Sequence, residues 1–88
     1  MRDIESLPKD FVDTLHRTIG LNVKKEREKK GLSQLQLSQL IGHKSVTIVS
    51  RAEIFYKGQH FNIEHLAKIS YVLDINVCDL INTKPEEI

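Results

Sequence analysis

Hydrophobic residues recur at helical spacing along most of the chain, and none of the longer stretches alternates apolar and polar residues as a strand would. After Pro8, a residue tolerated in a first helical turn, apolar side chains occupy positions 11, 15, 19 and 23. This spacing places them on one face of a helix that ends near Gly31. Because Gly20 lowers helix stability by about 1 kcal/mol, the pattern leaves open one long helix, a break at 18–20, or a close packing contact there.

Residues 32–53 predict two short helices around a tight turn. Ser33 can accept the backbone N–H of Gln36 while the Gln36 side chain reaches back, which is a capping box. Gly42 supplies the positive φ that suits a helix end, and Ser45 can cap the second helix. Two short helices joined in this way form a helix-turn-helix unit, whose second helix can lie in a DNA major groove.

The rest of the chain predicts further helical structure. The third helix is expected to run past Glu53 through the apolar residues 54–56 and to end at Gly58. Asn62 can cap a fourth helix that ends at Asp74, and Asn76 can start a short fifth helix. The chain is therefore predicted to be all-α: an N-terminal helical extension (1–18), a helix-turn-helix domain (19–82, with the unit itself at about 33–56) and a flexible tail (83–88).

Composition narrows the class of protein. With 88 residues the chain forms one small domain, and no apolar run reaches the roughly 20 residues of a membrane span. Its N-terminus lacks the apolar core of a signal peptide, so a cytoplasmic protein without membrane contact is expected. Cys78 is the single cysteine, which excludes a disulfide framework and a cysteine metal cluster. Cys78 is expected to be a small, partly buried side chain.

The charge is unevenly distributed along the chain. The net charge is +1, but residues 29–63 contain five basic side chains against one acid, so that this segment is +4 and the remainder is −3. Positive charge on the proposed helix-turn-helix unit suits contacts with DNA phosphates, although a solvated surface of uneven sign would give the same pattern.

Four short motifs, in order and spacing, resemble the Cro/repressor-type (XRE-like) helix-turn-helix regulators over residues 19–81. They are the Arg27-x-x-x-Gly31-Leu32-Ser33-Gln34 entry, Leu37 with Gly42 five residues later, Ser50-x-x-Glu53, and the closing residues 73–81, LDINVCDLI. The resemblance implies a five-helix, lambda-repressor-like domain that binds double-stranded operator DNA as a symmetric homodimer.

The resemblance also implies roles for individual residues. Arg27 and Glu53 match a structural salt bridge, Gln34 matches a residue near the DNA backbone, and Val49 and Ala52 match buried positions. The residues expected on or near the groove-facing side, where they would contact bases, are Ser45, Val46, Thr47, Ser50 and Arg51. The residues expected near the flanking phosphates are Lys44, Lys57, Gln59 and His60.

Three features depart from the pattern of these regulators. The turn between Gly42 and Val49 is one residue longer than usual, and Glu26 occupies a position that is usually apolar. No glycine follows soon after Glu53, so the third helix is predicted to be about one turn longer. The two aromatic residues in that extra turn, Phe55 and Tyr56, are expected either in the core or facing a partner.

Dimerisation is expected because one such domain reads too few base pairs for specificity. The candidate interface, matched to that of the regulators, consists of Ile75, Val77, Leu80 and Ile81. An apolar stripe of Phe11, Val12 and Leu15 is a second candidate, or packs on the domain's own core.

The leading prediction is a sequence-specific transcriptional regulator of the repressor or restriction–modification controller type. The alternative is an antitoxin-like module that masks a partner protein, such as a toxin, through the apolar N-terminal stripe, and that also regulates its own operon. An enzyme is not expected, and neither a cofactor nor a metal is predicted, because the four histidines do not pair with cysteine or carboxylates at metal or triad spacing.

Overall fold

The computed structural model describes residues 1–82, and in that part of the chain the regular structure consists of helices, with no strand. Its five α-helices are α1 (Phe11–Lys29), α2 (Gln34–Leu40), α3 (Thr47–Glu53), α4 (Ile63–Leu73) and α5 (Cys78–Ile81). Two short 3-10 turns, Ile4–Ser6 and Tyr56–Gly58, complete the described structure. The predicted all-α, five-helix architecture is thus confirmed. The tail predicted at 83–88 lies outside the described residues.

Helix α1 is the element on which the others are assembled. It packs against α3, α4 and α5, while α2 packs against α3. Apolar side chains from all five helices, and from the loop before α4, meet in one core between them. The core residues are Ile19, Val23, Leu37, Ile41, Val49, Ala52, Phe61, Leu66, Ile69, Leu73 and Leu80.

Helix α1 is continuous, and Gly20 lies where it contacts the end of α3. The helix begins at Phe11, three residues after Pro8, and runs unbroken through the position where a break was possible. A Cβ atom on Gly20 would lie 2.5 Å from the carbonyl oxygen of Glu53 and 2.7 Å from that of Ala52. The glycine therefore permits a close backbone contact within one long helix, and the alternative of a break at 18–20 was wrong.

Left-handed residues end three of the helices as the sequence predicts. Gly31 follows α1 with φ 71°, and Gly42 follows α2 with φ 95°. After each glycine, the next backbone N–H bonds to the carbonyl five residues earlier, at 3.2 Å and 2.9 Å, which is the closure of a Schellman motif. Helix α4 ends the same way at Asp74, which has φ 55°.

Capping boxes start α2 and α4. The Ser33 hydroxyl accepts the N–H of Gln36 at 3.0 Å, and the Gln36 side chain accepts the N–H of Ser33 at 2.7 Å, as predicted. Asn62 caps α4 as predicted, accepting the N–H of His65 at 2.7 Å. Its own N–H donates to Nδ1 of His65 at 3.0 Å, so a histidine completes this box.

Helix α5 is a single turn tied to α1. It begins at Cys78, two residues after the predicted start, and the side chain of Asn76 accepts the Cys78 N–H at 2.9 Å. The Asn22 side chain on α1 donates to the carbonyl oxygens of Leu80, at 3.1 Å, and Asn82, at 2.9 Å. Cys78 is exposed, so the expectation of a partly buried thiol was wrong.

Candidate nucleic-acid interface

Helix α3 buries one face and presents the other to solvent. Val49 and Ala52 are buried, as predicted. Thr47 and Arg51 are exposed and Ser50 is half-buried on the outer side. The helix therefore presents short hydroxyl side chains and one arginine, which are side chains that can hydrogen-bond base edges.

The start of α3 differs from the prediction by one residue. Val46, not Ser45, occupies the capping position, and its backbone is already helical. The Ser45 hydroxyl accepts the N–H of Thr47 at 3.1 Å and lies 2.7 Å from the Thr47 hydroxyl. Because these two hydroxyls bond each other, a base contact by either would replace this internal hydrogen bond. Lys44, immediately before them, is exposed.

Helix α3 ends at Glu53, so the prediction of an extra turn was wrong. Phe55 adopts a left-handed conformation with φ 55°, and Lys57 does the same with φ 49°. This conformation costs a non-glycine residue about 1–2 kcal/mol. At Phe55 the cost is offset by ring contacts, because its ring stacks with His16 at 5.7 Å and lies 5.0 Å from the guanidinium of Arg17. The sequence predicted a longer helix because the apolar run at 54–56 continues directly from α3. The spacing of that run carries no information about the contacts of Phe55 with α1.

A buried ion pair fixes the end of α3 to α1. Arg27 Nε donates to Glu53 Oε2 at 2.8 Å and Nη2 donates to Oε1 at 3.1 Å, so the predicted salt bridge is present. The two side chains are only 8% and 1% exposed. The hydrogen bond to Glu53 raises the pKa of Arg27. A fork-shaped, doubly hydrogen-bonded contact of this kind holds the helix end in one geometry.

The same ion pair extends to the start of α2. Arg27 Nη1 donates to the carbonyl oxygen of Leu32 at 2.7 Å, and the Gln34 amide donates to Glu53 Oε1 at 2.9 Å. Gln34, predicted to lie near the DNA backbone, thus has its side-chain amide engaged inside the protein. Three segments, the end of α1, the start of α2 and the end of α3, are joined by one network.

Three side chains form an exposed basic-aromatic cluster beside the end of α3. The guanidinium of Arg51 and the Nζ atom of Lys57 each lie 5.4 Å from the centre of the Tyr56 ring. Cation–π contacts at exposed sites contribute roughly 0.5–1 kcal/mol. They favour conformations in which both cations stay beside the ring. Tyr56 was not predicted as a site residue, because its position depends on the left-handed residues around it.

The remaining predicted phosphate contacts have different surroundings. Gln59 is half-buried. His60 is exposed, but its ring stacks on His16 of α1 at 3.7 Å, and its Nδ1 lies 3.1 Å from the carbonyl oxygen of Gly58. The structure therefore places His60 against α1, whereas Lys44 and Lys57 remain exposed.

Two histidine pairs, not predicted from the sequence, flank α3. His16 faces His60, and His43 in the turn before α3 faces His65 on α4, with ring centres 5.7 Å apart. Burial, and then the neighbouring His60, lower the pKa of His16. Burial, and then His43, lower the pKa of His65. The partners of each pair are far apart in the sequence, so no local spacing could have revealed them.

Only some of the residues predicted for the dimer interface are exposed at the surface. Leu80 is fully buried in the core at 0% exposure, so its assignment to an interface was wrong. Its apolar side chain is turned inward because α5 is a single turn with one face packed on α1. Ile75 is half-buried, whereas Val77 and Ile81 are exposed. The last three line an apolar groove between α4 and α5, together with Ile63, Leu66, Ala67, Ser70, Tyr71 and Asp74.

The apolar N-terminal stripe is likewise partly packed on the core and partly exposed. Leu15 packs against the core, whereas Phe11 and Val12 are about half exposed, at 52% and 50%. Ile4 and Leu7 are exposed before them in the chain, and Ile4, Leu7 and Phe11 line a shared shallow cavity. A second apolar surface is thus present at the start of α1.

No protein-family model matches this chain, and no curated protein shows significant similarity to it. Among residues 1–82, no helix is long and apolar enough to cross a membrane. Nor do three or more histidine, cysteine, aspartate or glutamate side chains in that range come together as a group able to hold a metal ion.

Proposed function

We propose that this protein is a sequence-specific DNA-binding transcriptional regulator that acts as a homodimer on a palindromic operator. The observation that carries the proposal is the outer face of α3. It presents Arg51 beside Tyr56 and Lys57, and it is fixed from behind by the buried Arg27–Glu53 pair. A rigid helix with an exposed arginine fork suits bidentate hydrogen bonding to guanine in the major groove.

The distribution of charge supports the same proposal. The +4 segment at 29–63 contains α2, α3 and the loop up to α4, and its one acid, Glu53, is neutralised by Arg27. The basic side chains Lys44, Arg51 and Lys57 are exposed in this segment. Phosphate contacts from such residues supply affinity, while the outer face of α3 supplies the choice of sequence.

The apolar groove between α4 and α5 supports the homodimer. Ile63 and Tyr71, two large side chains that line it, are 81% and 86% exposed. A second copy meeting this groove about a two-fold axis would cover them, as an isologous interface does. The dimer would then present two α3 helices to the two halves of a palindrome.

The test is a titration of the protein against DNA from its own promoter and against random DNA of equal length, at several salt concentrations. We expect tighter binding to the promoter, and Arg51→Ala to abolish the difference between the two DNAs. Lys24→Ala, which removes one exposed positive charge from α1, is the matched control and should retain specificity. Equal affinity of the unmodified protein for both DNAs would contradict the proposal.

A second candidate function rests on the apolar surface at the start of α1. Its exposed residues Ile4, Leu7, Phe11 and Val12 would suit an antitoxin-like module that covers a partner protein. Co-expression with the product of the neighbouring gene tests this directly. A complex lost on Val12→Glu, in a variant whose promoter binding is unchanged, would favour this candidate, whereas no complex would exclude that partner.

A further inference from the structure

The segment that carries α3 has a histidine near each end, and each of these faces a histidine outside the segment. We call residues 43–60 the recognition segment. At its start, His43 lies 5.7 Å from His65 of α4, with the rings inclined by 60°. At its end, His60 stacks on His16 of α1 at 3.7 Å, with the rings inclined by 20°. The segment is thus connected at both ends to helices that do not belong to it.

The surroundings of His16 and His65, the two histidines outside the recognition segment, favour the neutral ring. Nδ1 of His65 accepts the N–H of Asn62 at 3.0 Å, and an imidazolium ring has no lone pair with which to do so. Nδ1 of His16 is buried, and no described residue gives it a hydrogen-bond partner. A proton there would create a buried donor without an acceptor, which is unfavourable.

Protonation would act on both ends of α3. The Phe55 ring, two residues after α3, stacks with His16 and lies tilted against His60, so separation of these two histidine rings removes contacts that hold the left-handed Phe55. His65, which faces His43 in the turn before α3, also meets the core residue Phe61 edge to face, at 6.2 Å. Displacement of His16 or of His65 is therefore transmitted to a neighbouring aromatic ring.

We propose that protons regulate this protein: protonation of His16 and His65 releases the recognition segment from α1 and α4. The consequence for DNA, weaker operator binding at mildly acidic pH, rests on the proposed function. The release itself does not, because it follows from contacts within the chain.

The groups around His16 and His65 shift the pKa of these histidines in opposite directions. Around His16, burial and His60 lower the pKa, while Asp13 raises it; the neighbouring Arg17 lies on the Phe55 ring. Around His65, burial lowers the pKa first, followed by His43, while Glu64 raises it; Lys68 and His60 lower it further. The net direction for both histidines is downward, so the neutral form is favoured in the folded state.

The sign of the pH effect follows from that direction. A histidine whose pKa is lowered by folding binds fewer protons in the folded than in the unfolded state below its ordinary pKa. The stabilisation is complete above the ordinary histidine pKa of 6.5 and decreases as the pH falls from there toward the folded value. Simple attraction to phosphates predicts the opposite sign for DNA binding, because added positive charge would strengthen it.

The first experiment uses the unmodified protein without DNA. Histidine ring resonances and backbone amide exchange are followed by NMR from about pH 7.5 to about pH 5.5, the range in which histidines titrate. We expect His16 and His65 to titrate below the ordinary value, and amide protection to fall within residues 43–60 before it falls in α1. Ordinary titration of both rings, or uniform loss of protection, would overturn the release.

The second experiment measures promoter affinity at the two ends of that range and at constant ionic strength. We expect about tenfold weaker binding at the acidic end, which corresponds to about 1.4 kcal/mol of binding free energy. In the double variant His16→Phe, His65→Gln the pH dependence should disappear, because phenylalanine keeps the stacking and glutamine keeps the capping box without titrating. Affinity that rises on acidification, or a double variant as pH-dependent as the parent, would overturn the regulation of binding.

The two experiments separate the two proposals. If the protein binds its promoter no better than random DNA even at neutral pH, the proposed function fails, and the NMR titration alone decides whether the pairs release the segment. If the double variant does not fold, the single variant His65→Gln replaces it. The single variant should lose part of the pH dependence, and retention of all of it would count against the His43–His65 pair.

Discussion

Gly20 of α1 lies directly against the carbonyl oxygen of Glu53, so closely that a Cβ on the glycine would be 2.5 Å from that oxygen. The carbonyl has little freedom to move, because the Glu53 side chain is held by Arg27. A close backbone contact and a buried ion pair thus fix the end of α3 against the same helix.

Gly20→Ala tests this contact, because two effects predict changes of opposite sign in the free energy of unfolding. Helix propensity alone predicts that alanine stabilises a helix interior by about 1 kcal/mol. The clash with the carbonyl of Glu53 instead predicts a loss of about 1–3 kcal/mol, typical of overpacking. We expect the loss, measured as the free energy of unfolding in urea. Lys24→Ala on the exposed side of α1 is the control, and stabilisation by Gly20→Ala would show that α3 moves away easily.

The Arg27–Glu53 pair predicts that the losses of stability in a double-mutant cycle are not additive. Arg27→Met or Glu53→Met should each cost about 3–5 kcal/mol, because each strands a buried charge. The double variant should recover much of that loss, since two methionines can fill the space without leaving a charge. Urea unfolding of the four proteins gives the coupling free energy. Strictly additive losses would mean that the two charges act separately.

Tyr56 is predicted to position Arg51 for base recognition. Tyr56→Leu should remove the cation–π contact and reduce the preference for the promoter over random DNA by roughly two- to fivefold, corresponding to about 0.5–1 kcal/mol. Tyr56→Phe keeps the ring and should retain the preference. Competition titrations with both DNAs measure it. An equal loss in the two variants would indicate that the hydroxyl, rather than the ring, is what matters.

Ile81→Glu is predicted to separate the homodimer. The substitution places a charge in the apolar groove between α4 and α5, where a second copy would bury it. Sedimentation at micromolar concentration should then give the mass of one chain, 10.1 kDa, in place of twice that value. Ile54→Glu is the control, because Ile54 is the same apolar residue and is more exposed, at 65% against 42% for Ile81, but does not line the groove. A single-chain mass for the parent would contradict the homodimer itself.

The parts of the structure that depend on neighbouring residues were predictable from the sequence. The capping box at Ser33, the cap at Asn62 and the left-handed ends at Gly42 and Asp74 all depend on side chains within a few positions, and all are present. The Arg27–Glu53 pair spans 26 residues and was predicted only because the motifs around it resemble a known pattern.

The features missed from the sequence depend on contacts between distant residues. The end of α3 was misplaced because Phe55 leaves the helix to meet His16, 39 positions away in the sequence. The stacking of His16 on His60 likewise joins α1 to the loop before α4. Leu80 was assigned to an interface because an apolar residue in a one-turn helix has the same pattern whether it faces the core or a partner.

The contacts of α1 have a consequence for operator architecture. This helix holds α3 through Gly20 and Arg27, and it holds α5 through the two hydrogen bonds of Asn22. In the proposed dimer, the two-fold axis would pass beside α5, and the distance from that axis to each α3 would be set by the positions along α1 at which these contacts lie. The number of base pairs between the two half-sites would then depend on α1, a helix that would itself contact no base.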